Sequence, residues 1–354
     1  MTIIGAGLMT VDIIQEVSPD WRPLERPPAY ASGGTVCNIL CHLAHGGWNA
    51  RVIGSIGDDK LGKLVRSDLS KFRIDCSALL DVPNTPTRRI LHKIVSSGVD
   101  RGKHKFELFC SKCRRPFPPV APPQYRIVEP SIRGVLGKDT VLIVDRANEL
   151  TTQLVEQVEK SGGTIIFEPG HLPRSSELVS QILAKVDILK YSRELMWKHQ
   201  PLQKMIDQMA MPKIKIVIET RGQSGVQIKR ANRRKRLVAQ ALPDIRDSAG
   251  AGDAFMAGFL LGLGSERLLN LDAVSDLELE TAIQRGQARG GLACVFLGSK
   301  GVLYNHSHEK IEIAVNTFIS TLHYPEGFGS DSLRGAECEI GIPTNGSCPT
   351  CGLK

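Results

Sequence analysis

The chain has 354 residues, of which 42% are hydrophobic and 23% charged, and its formal net charge is +8. These values are typical of globular proteins and exclude a disordered chain, a collagen and a coiled coil. No stretch approaches the ~20 apolar residues that a membrane span needs, and the N-terminus lacks the basic start of a signal peptide. We therefore expect a soluble, cytoplasmic protein without a membrane partner. The positive charge suits an anionic ligand but is common among enzymes.

The first third of the chain alternates short apolar runs with glycines. Residues 2–8 predict a strand that ends in glycine, and a proline-rich passage follows it. Gly33 and Gly34 precede a helical pattern, residues 51–57 predict a second strand, and residues 61–72 predict a helix.

Residues 84–123 differ from the rest of the chain. Residues 88–95 and 104–109 predict two strands joined by a turn, and a Cys-x-x-Cys sequence and five prolines follow. Prolines exclude a helix or a central strand there. We therefore expect a surface excursion there.

From about residue 134 strands and helices alternate. Strands are predicted at 140–144, 164–167, 187–190 and 214–218, and helices at 151–160, near 175–184 and near 200–210. A hairpin at about 225–241 and two helices at about 252–263 and 278–296 finish this core. From residue 324 we expect no regular structure until Cys348. This alternation predicts an α/β fold of three layers around a mostly parallel sheet.

The strongest chemical signal is at residues 247–255, which read Asp-Ser-Ala-Gly-Ala-Gly-Asp-Ala-Phe. The small residues lead into an apolar helix, and the N-terminus of a helix binds anions. Asp253 at that site could accept a proton from a hydroxyl while backbone N–H groups hold a phosphoryl group. The alternative interpretation is a glycine-rich turn with Asp253 as the helix cap.

This nonapeptide resembles the signature of the ribokinase (PfkB) family of carbohydrate and nucleoside kinases. A second signature of the family has a counterpart in residues 33–38 (Gly-Gly-Thr-Val-Cys-Asn), 43–46 and 54–59. Residues 220–225 (Thr-Arg-Gly-Gln-Ser-Gly) resemble the end of the family's nucleotide-binding strand. The resemblance covers about residues 1–318 and implies a ribokinase-like fold. It also implies that the strands of the excursion at about 84–123 belong to a small β lid over the substrate.

The resemblance implies a role for each matching residue. Asp253 would be the general base, and the anion hole would be formed by Gly250, Ala251 and Gly252. The sugar pocket would be lined by Asp12, Gly33, Gly34 and Asn38, and the nucleotide would lie against Thr220, Gly222 and Gly225. ATP and Mg²⁺ would be the cofactors. This assignment is physically coherent because phosphoryl transfer depends mainly on positioning and charge stabilisation.

The sequence departs from the family pattern at two places. Glu194 follows a strand ending in Lys190 and could support a hydrated Mg²⁺, or it could simply be a charged residue that opens a helix. Residues 168–170 read Glu-Pro-Gly where the family has a segment like Asp-Pro-Asn. The second departure concerns sugar specificity rather than the chemistry.

Nine cysteines are present, and two Cys-x-x-Cys pairs stand out, namely Cys110 with Cys113 and Cys348 with Cys351. Each pair can supply two thiolates to one tetrahedral Zn²⁺. Shared coordination requires the C-terminal tail to fold back over the excursion, where a structural ion could brace the lid. Two free dithiols or a redox pair are the alternatives. Cys338 and His104 are spare ligand candidates.

A basic run occupies residues 229–236. It could bind nucleic acid, but no aromatic residue is interleaved for base stacking. We interpret it as the solvated tip of a hairpin and expect no nucleic-acid partner.

Together these features predict a kinase domain at residues 1–323, with its lid and cysteine-containing excursion at about 84–123, and a C-terminal tail at 324–354. The predicted reaction is transfer of the ATP γ-phosphate to a hydroxyl of a sugar, with a homodimer through the lid as a possible assembly. The alternatives are a nucleoside kinase and a catalytically idle, zinc-braced sugar-binding protein.

Overall fold

The computed structural model describes residues 1–170, 176–194, 213–231, 233–242, 244–329 and 348. Its strands, in chain order, are β1 (Thr2–Ala6), β2 (Thr10–Val17), β3 (Ala29–Gly33), β4 (Ala50–Gly57), β5 (Asp75–Val82), β6 (Arg89–Val95), β7 (His104–Glu107), β8 (Thr140–Val144), β9 (Thr164–Phe167), β10 (Ile188–Ser192), β11 (Ile216–Thr220), β12 (Val226–Arg230) and β13 (Arg233–Leu237).

The helices of the described residues are α1 (Thr35–His45), α2 (Lys60–Lys71), α3 (Tyr125–Ile132), α4 (Glu149–Lys160), α5 (Ser176–Leu183), α6 (Ala251–Leu269), α7 (Asp276–Ala293), α8 (Gly301–Asn305) and α9 (His308–Thr321). None of these helices combines the length and the apolar character that crossing a lipid bilayer requires.

Nine strands form the main sheet in the order β13-β12-β11-β10-β9-β8-β1-β4-β5. All neighbours from β11 to β5 are parallel, and β12 and β13 add an antiparallel hairpin at one edge. Successive strand residues point to opposite faces, so Ile3 and Ile4 enter two different core clusters. Helices α1, α6 and α7 cover one face, and α4 and α5 cover the other. The predicted three-layer α/β fold is confirmed.

A second sheet has the strand order β3-β2-β6-β7, and we call it the lid. The predicted strands β6 and β7 are present, but half of the lid comes from residues 10–33, a segment that the sequence analysis did not assign to strands. The prolines of that segment lie in the connection between β2 and β3, outside both strands. They therefore interrupt the sequence pattern without interrupting the sheet.

The two faces of the lid have different neighbours. Ile14 of β2 and Ile94 of β6 pack with Leu297 of the main body, so their face is the inner one. Ile13 is one residue from Ile14, and Leu91 is three residues from Ile94, so both point to the opposite face, where they pack with the cysteine-containing excursion. Asp12, two residues from Ile14, shares the inner face.

Several elements were not predicted. The strand β5 and the helices α3, α8 and α9 are additions, and α8 and α9 continue the core beyond the two helices expected to finish it. The helix predicted near 200–210 lies outside the described residues, as does most of the tail beyond residue 329. The division into a domain at 1–323 and a tail at 324–354 stays a prediction.

The basic run forms the β12–β13 hairpin, and acidic residues of α7 neutralise part of it. Arg233 contacts Asp276 with 2.7 Å between nitrogen and oxygen, and Lys235 pairs with Glu280. This arrangement supports the interpretation of the run as a solvated hairpin.

Candidate active site

Charged side chains gather at the carboxyl ends of the central parallel strands, the edge where open α/β sheets bind ligands. Asp145 follows β8, Glu168 follows β9, and Lys190 lies near the end of β10. All three are buried. The Lys190 ammonium is hydrogen-bonded to the Glu168 carboxylate and also donates to the carbonyl oxygen of Gly252 at 3.2 Å. Lys190 therefore joins the sheet edge to the glycine loop.

The glycine loop ends at the start of α6. Gly250 is left-handed, with φ of 75°, and a Cβ built on it would lie 2.3 Å from Cβ of Ser299. Only glycine fits both restrictions. Ala251 and Gly252 begin the helix, so their N–H groups belong to the helix end that attracts anions. The predicted local structure of this loop is present.

Asp253 lies in the first turn of α6 and is partly buried. Burial, reinforced by the nearby negative charge of Glu168, raises the pKa of its carboxyl to about 8. The Lys190 ammonium and a hydrogen bond from Asn38 act in the opposite direction. A carboxylate with such a pKa is a stronger base than an exposed aspartate.

Asn38 on α1 connects this carboxylate to the sugar side of the predicted site. Its Nδ2 donates to Oδ2 of Asp253 at 2.7 Å. Its Oδ1 accepts a hydrogen bond of 3.0 Å from the Ser299 hydroxyl, which fixes the orientation of the amide. Two predicted site residues are thus in direct contact.

Asp12 and the glycine pair form the lid side of the site. Asp12 on β2 is buried, accepts a hydrogen bond of 3.1 Å from Thr10, and has a pKa raised by burial. A Cβ on Gly33 would lie 2.3 Å from Oδ1 of Asp12, and one on Gly34, where φ is 105°, would lie 2.0 Å from the Leu8 carbonyl oxygen. Both glycines therefore make room for the backbone and for the Asp12 carboxylate.

Two lid histidines reach the aspartate that begins the signature. His92 Nε2 lies 3.4 Å from Oδ1 of Asp247, and His104 Nδ1 lies 3.9 Å from the same oxygen. The Ser248 hydroxyl is also hydrogen-bonded to His104, at 3.1 Å. Burial acts to lower the pKa of His92, but the charges of Asp247 and Asp12 outweigh it, so the pKa is raised. These contacts join the lid to the glycine loop.

The predicted nucleotide residues lie on the neighbouring strand. Thr220 ends β11, pairs in register with Ser192, and its hydroxyl donates to the Tyr191 carbonyl oxygen at 3.4 Å. Gly222 and Gly225 frame the turn into β12, both with positive φ. Their glycine character is explained by the turn, and a nucleotide role for them stays a prediction.

Glu194 is exposed, two residues beyond the end of β10. Its negative charge raises the pKa of His104, against the stronger lowering by burial. The carboxylate therefore lies near the lid side of the cleft, and its predicted Mg²⁺ role stays a prediction.

Three of the four predicted zinc ligands are also brought together. The thiols of Cys110, Cys113 and Cys348 all lie within 4.8 Å of one another. Cys351 and the spare candidate Cys338 lie outside the described residues. His104, the other spare candidate, belongs instead to the group with His92 and Asp247.

Sequence reasoning missed the contributions of Asp145, Glu168, Lys190, His92 and Asp247. The signal for the first three was a charged residue at the end of each apolar strand. His92 carried no such signal, because β6 reads Arg-Ile-Leu-His-Lys-Ile-Val and its polar residues do not alternate with apolar ones.

A family model described as "pfkB family carbohydrate kinase" matches residues 3–302. The chain belongs to the pfkB family of carbohydrate kinases. It is therefore a sugar kinase, a phosphotransferase, as the resemblance implied.

The relatives of this pfkB kinase described below are also named as kinases. A fructokinase from Klebsiella pneumoniae is 24% identical over 317 residues, covering 82% of this chain and 94% of the relative. Two solved structures share the fold, each at 19% identity and a TM-score of 0.63. One is a Vibrio cholerae O395 fructokinase bound to fructose, ADP and calcium, covering 88% of this chain and 98% of that one. The other is a Salmonella enterica aminoimidazole riboside kinase with its riboside and an ATP analogue, covering 90% and 100%.

Proposed function

We propose that the protein transfers the γ-phosphate of ATP to a hydroxyl of a sugar, with Asp253 as the general base. The observation that carries this proposal is the position of the Asp253 carboxylate, at the N-terminus of α6 and 2.7 Å from the Asn38 amide. A base, an anion-binding helix end and a polar pocket residue thus meet at one point.

In this mechanism Asp253 accepts the proton of the acceptor hydroxyl, and the oxygen of that hydroxyl attacks the γ-phosphorus. The bond from that phosphorus to the bridging oxygen breaks, and ADP leaves. The N–H groups of the loop formed by Gly250, Ala251 and Gly252 stabilise the charge on the transferred group. Asp253 then releases its proton, which restores the base.

The sugar would be held between the lid and α1. The Asp12 carboxylate can accept hydrogen bonds from two hydroxyls, and Asn38 can both donate and accept. Gly33 and Gly34 leave the space in front of Asp12 open. In the Vibrio cholerae relative the sugar is fructose, and we propose a hexose or pentose of similar size for this chain.

The nucleotide would lie beyond the glycine loop, against Thr220, Gly222 and Gly225. The donor set fits Mg²⁺, which prefers oxygen ligands, because Glu194 is exposed beside the cleft and Glu168 is buried at the sheet edge. When bound, Mg²⁺ would neutralise charge on the ATP phosphates. Lys190 would keep Glu168 and the Gly252 carbonyl in place.

A nucleoside is the second candidate acceptor, and one observation favours it. Phe106 of β7 is 50% exposed on the inner face of the lid, with its ring 4.7 Å from that of His92. An exposed aromatic ring beside a sugar pocket can stack on a base. A homodimer through the lid stays a prediction. Among the described residues β7 is an edge strand of the lid, and an edge strand can pair with another chain.

The decisive experiment measures ADP formation from ATP with fructose, ribose and a set of nucleosides. We expect sugar-dependent turnover and a loss on the order of 10²–10⁴-fold in kcat for Asp253→Asn, with ATP binding retained. Asp139→Asn is the matched control, because Asp139 is an exposed acid directly before β8, at the end of the strand opposite the site. ATP binding without turnover on any acceptor would favour the idle sugar-binding protein instead.

A further inference from the structure

The cysteines of the excursion and the tail form a cluster that the kinase reaction does not use. The cysteine cluster consists of Cys110, Cys113 and Cys348, whose sulfur atoms lie within 4.8 Å of one another. Cys348 is separated from Cys110 by 238 residues in sequence, yet the two sulfurs are 3.7 Å apart. The fold, rather than local sequence, brings the third thiol to the first two.

This spacing is that of ligands around one metal ion. A tetrahedral zinc site with Zn–S bonds of ~2.3 Å places its sulfurs ~3.8 Å apart, whereas a disulfide needs ~2.05 Å. The distance between Cys110 and Cys348 matches the first geometry. Three thiolates together also select zinc over magnesium or calcium.

The local backbone favours the same interpretation. The Cys110 N–H donates to the Arg115 carbonyl oxygen at 2.9 Å, and the Arg114 N–H donates to the Cys110 carbonyl oxygen at 3.0 Å. Arg114 is left-handed, with φ of 62°, which closes a tight turn around the pair Cys110 and Cys113.

The cluster lies on the outer face of the lid. Cys110 and Phe117 pack against Ile13 of β2 and Leu91 of β6, with Cys348 beside them. The next residue before Ile13 is Asp12, on the inner face, and the next after Leu91 is His92. The cysteine cluster therefore packs against the outer face of β2 and β6, the two strands that carry Asp12 and His92 on their inner face.

We propose that the cysteine cluster binds one structural Zn²⁺, which fastens the chain at Cys348 to the outer face of the lid and so holds β2 and β6 in the sugar-binding arrangement. The fourth ligand predicted from the sequence is Cys351, which lies outside the described residues. The cluster lies on the outer face of the lid with Ile13 and Leu91, whereas Asp12 lies on the inner face, so we assign the ion a structural role and none in the chemistry. The effect on sugar affinity rests on the proposed function, but the zinc site itself does not.

The first test measures metal content and does not depend on activity. After incubation with zinc and removal of loosely bound ions, elemental analysis should find about one zinc per chain, as a single tetrathiolate site requires. Cys113→Ser and Cys348→Ser should lose it. Cys76→Ser, which changes a partly buried cysteine outside the cluster, should keep it. A zinc-free wild type, an iron-containing one, or full zinc in Cys348→Ser would overturn the proposal.

The second test measures the effect on the lid. Removing zinc from the wild type with a chelator should increase deuterium exchange in residues 89–95 and 104–107. It should also raise KM for the sugar roughly fivefold, the equivalent of one ordinary hydrogen bond, with KM for ATP unchanged. Adding zinc should reverse both changes. Unchanged exchange in both strands would overturn the coupling to the lid, whereas inactivity of the zinc-loaded wild type on every acceptor would contradict the proposed function alone.

Discussion

The side-chain amide of Asn38 donates a hydrogen bond to the carboxylate of Asp253 across 2.7 Å, although 215 residues separate them in the chain. This contact connects α1, which follows the lid strand β3, to α6, which carries the anion-binding loop. It also stabilises the ionised form of Asp253 against burial and the charge of Glu168. The reactivity of the proposed base is therefore set by three separate segments of the chain.

We predict that kcat/KM increases with pH up to about 8, because the pKa of Asp253 is raised to about 8 and a base works only when deprotonated. Below that value the rate should fall about tenfold per pH unit. Glu168→Gln removes a negative charge that raises this pKa, so its profile should inflect at a lower pH. The measurement is initial rate against pH under sugar-limited conditions.

Glu159→Gln is the control for this shift, because Glu159 pairs with Lys185 and Lys213 away from the site. Its profile should match the wild type. A wild-type rate that is flat between pH 6 and 9 would show that Asp253 is not the titrating base.

The sequence predicts best those features of the site that depend on residues adjacent in the chain. Gly250 needs a left-handed backbone and Asp253 lies in the helix turn that follows, so a few adjacent residues determine both features. The pairing of Lys190 with Glu168 depends on neighbouring strands 22 residues apart in sequence. No local pattern specifies such a partner, which explains why both were left out of the predicted site.

The lid strand β2 also could not be identified from a local sequence pattern. Residues 10–17 alternate imperfectly, since Ile13 and Ile14 are both apolar, and each is buried on a different face of the sheet. A strand covered on both faces loses the period of two that identifies it in sequence. The meeting of Cys348 with Cys110 was predicted only because two Cys-x-x-Cys pairs share one chemistry.

Gly33→Ala should weaken sugar binding selectively. A Cβ at this position would lie 2.3 Å from Oδ1 of Asp12, so either the carboxylate or the strand must move. We expect KM for the sugar to rise about tenfold or more, since a displacement of ~1 Å in a binding group can cost as much as 10²-fold, while KM for ATP changes little. Steady-state kinetics with each substrate varied in turn give the two values.

Gly134→Ala is the matched control, because a Cβ there meets no atom within 4 Å. It should leave both KM values unchanged. Equal increases in KM for sugar and ATP in Gly33→Ala would indicate a general folding defect instead of a displaced Asp12.

Lys300→Met should destabilise the fold. Lys300 is buried, donates to the Ser32 hydroxyl at 2.7 Å and lies 3.3 Å from the Asp68 carboxylate. Its removal leaves a buried negative charge without its cation, which costs about 3–5 kcal/mol in the free energy of unfolding. Urea denaturation followed by circular dichroism measures this loss. Adding Asp68→Asn should recover part of the stability, because it removes that charge.

Lys63→Met serves as the control on α2, since Lys63 is exposed. Its unfolding free energy should stay within about 0.5 kcal/mol of the wild type. If Lys300→Met lowered the free energy of unfolding by no more than Lys63→Met does, the buried pair of Lys300 and Asp68 would not be what joins β3 to α2.

His104→Ala tests whether the lid closes onto the glycine loop through its hydrogen bond with Ser248, which spans 3.1 Å. His104 lies on β7, at the edge of the lid, and its side chain is 25% exposed, so its loss should change the stability of the fold little. A lid that closes less firmly retains the sugar less well, whereas the base and the anion hole are untouched. We therefore expect KM for the sugar to rise roughly fivefold, the value of one hydrogen bond, with kcat nearly unchanged.

His323→Ala, on the exposed surface beyond α9, should behave like the wild type in the same assay. A fall in kcat at saturating sugar with no change in its KM would place His104 in the chemical step and contradict its role in closing the lid.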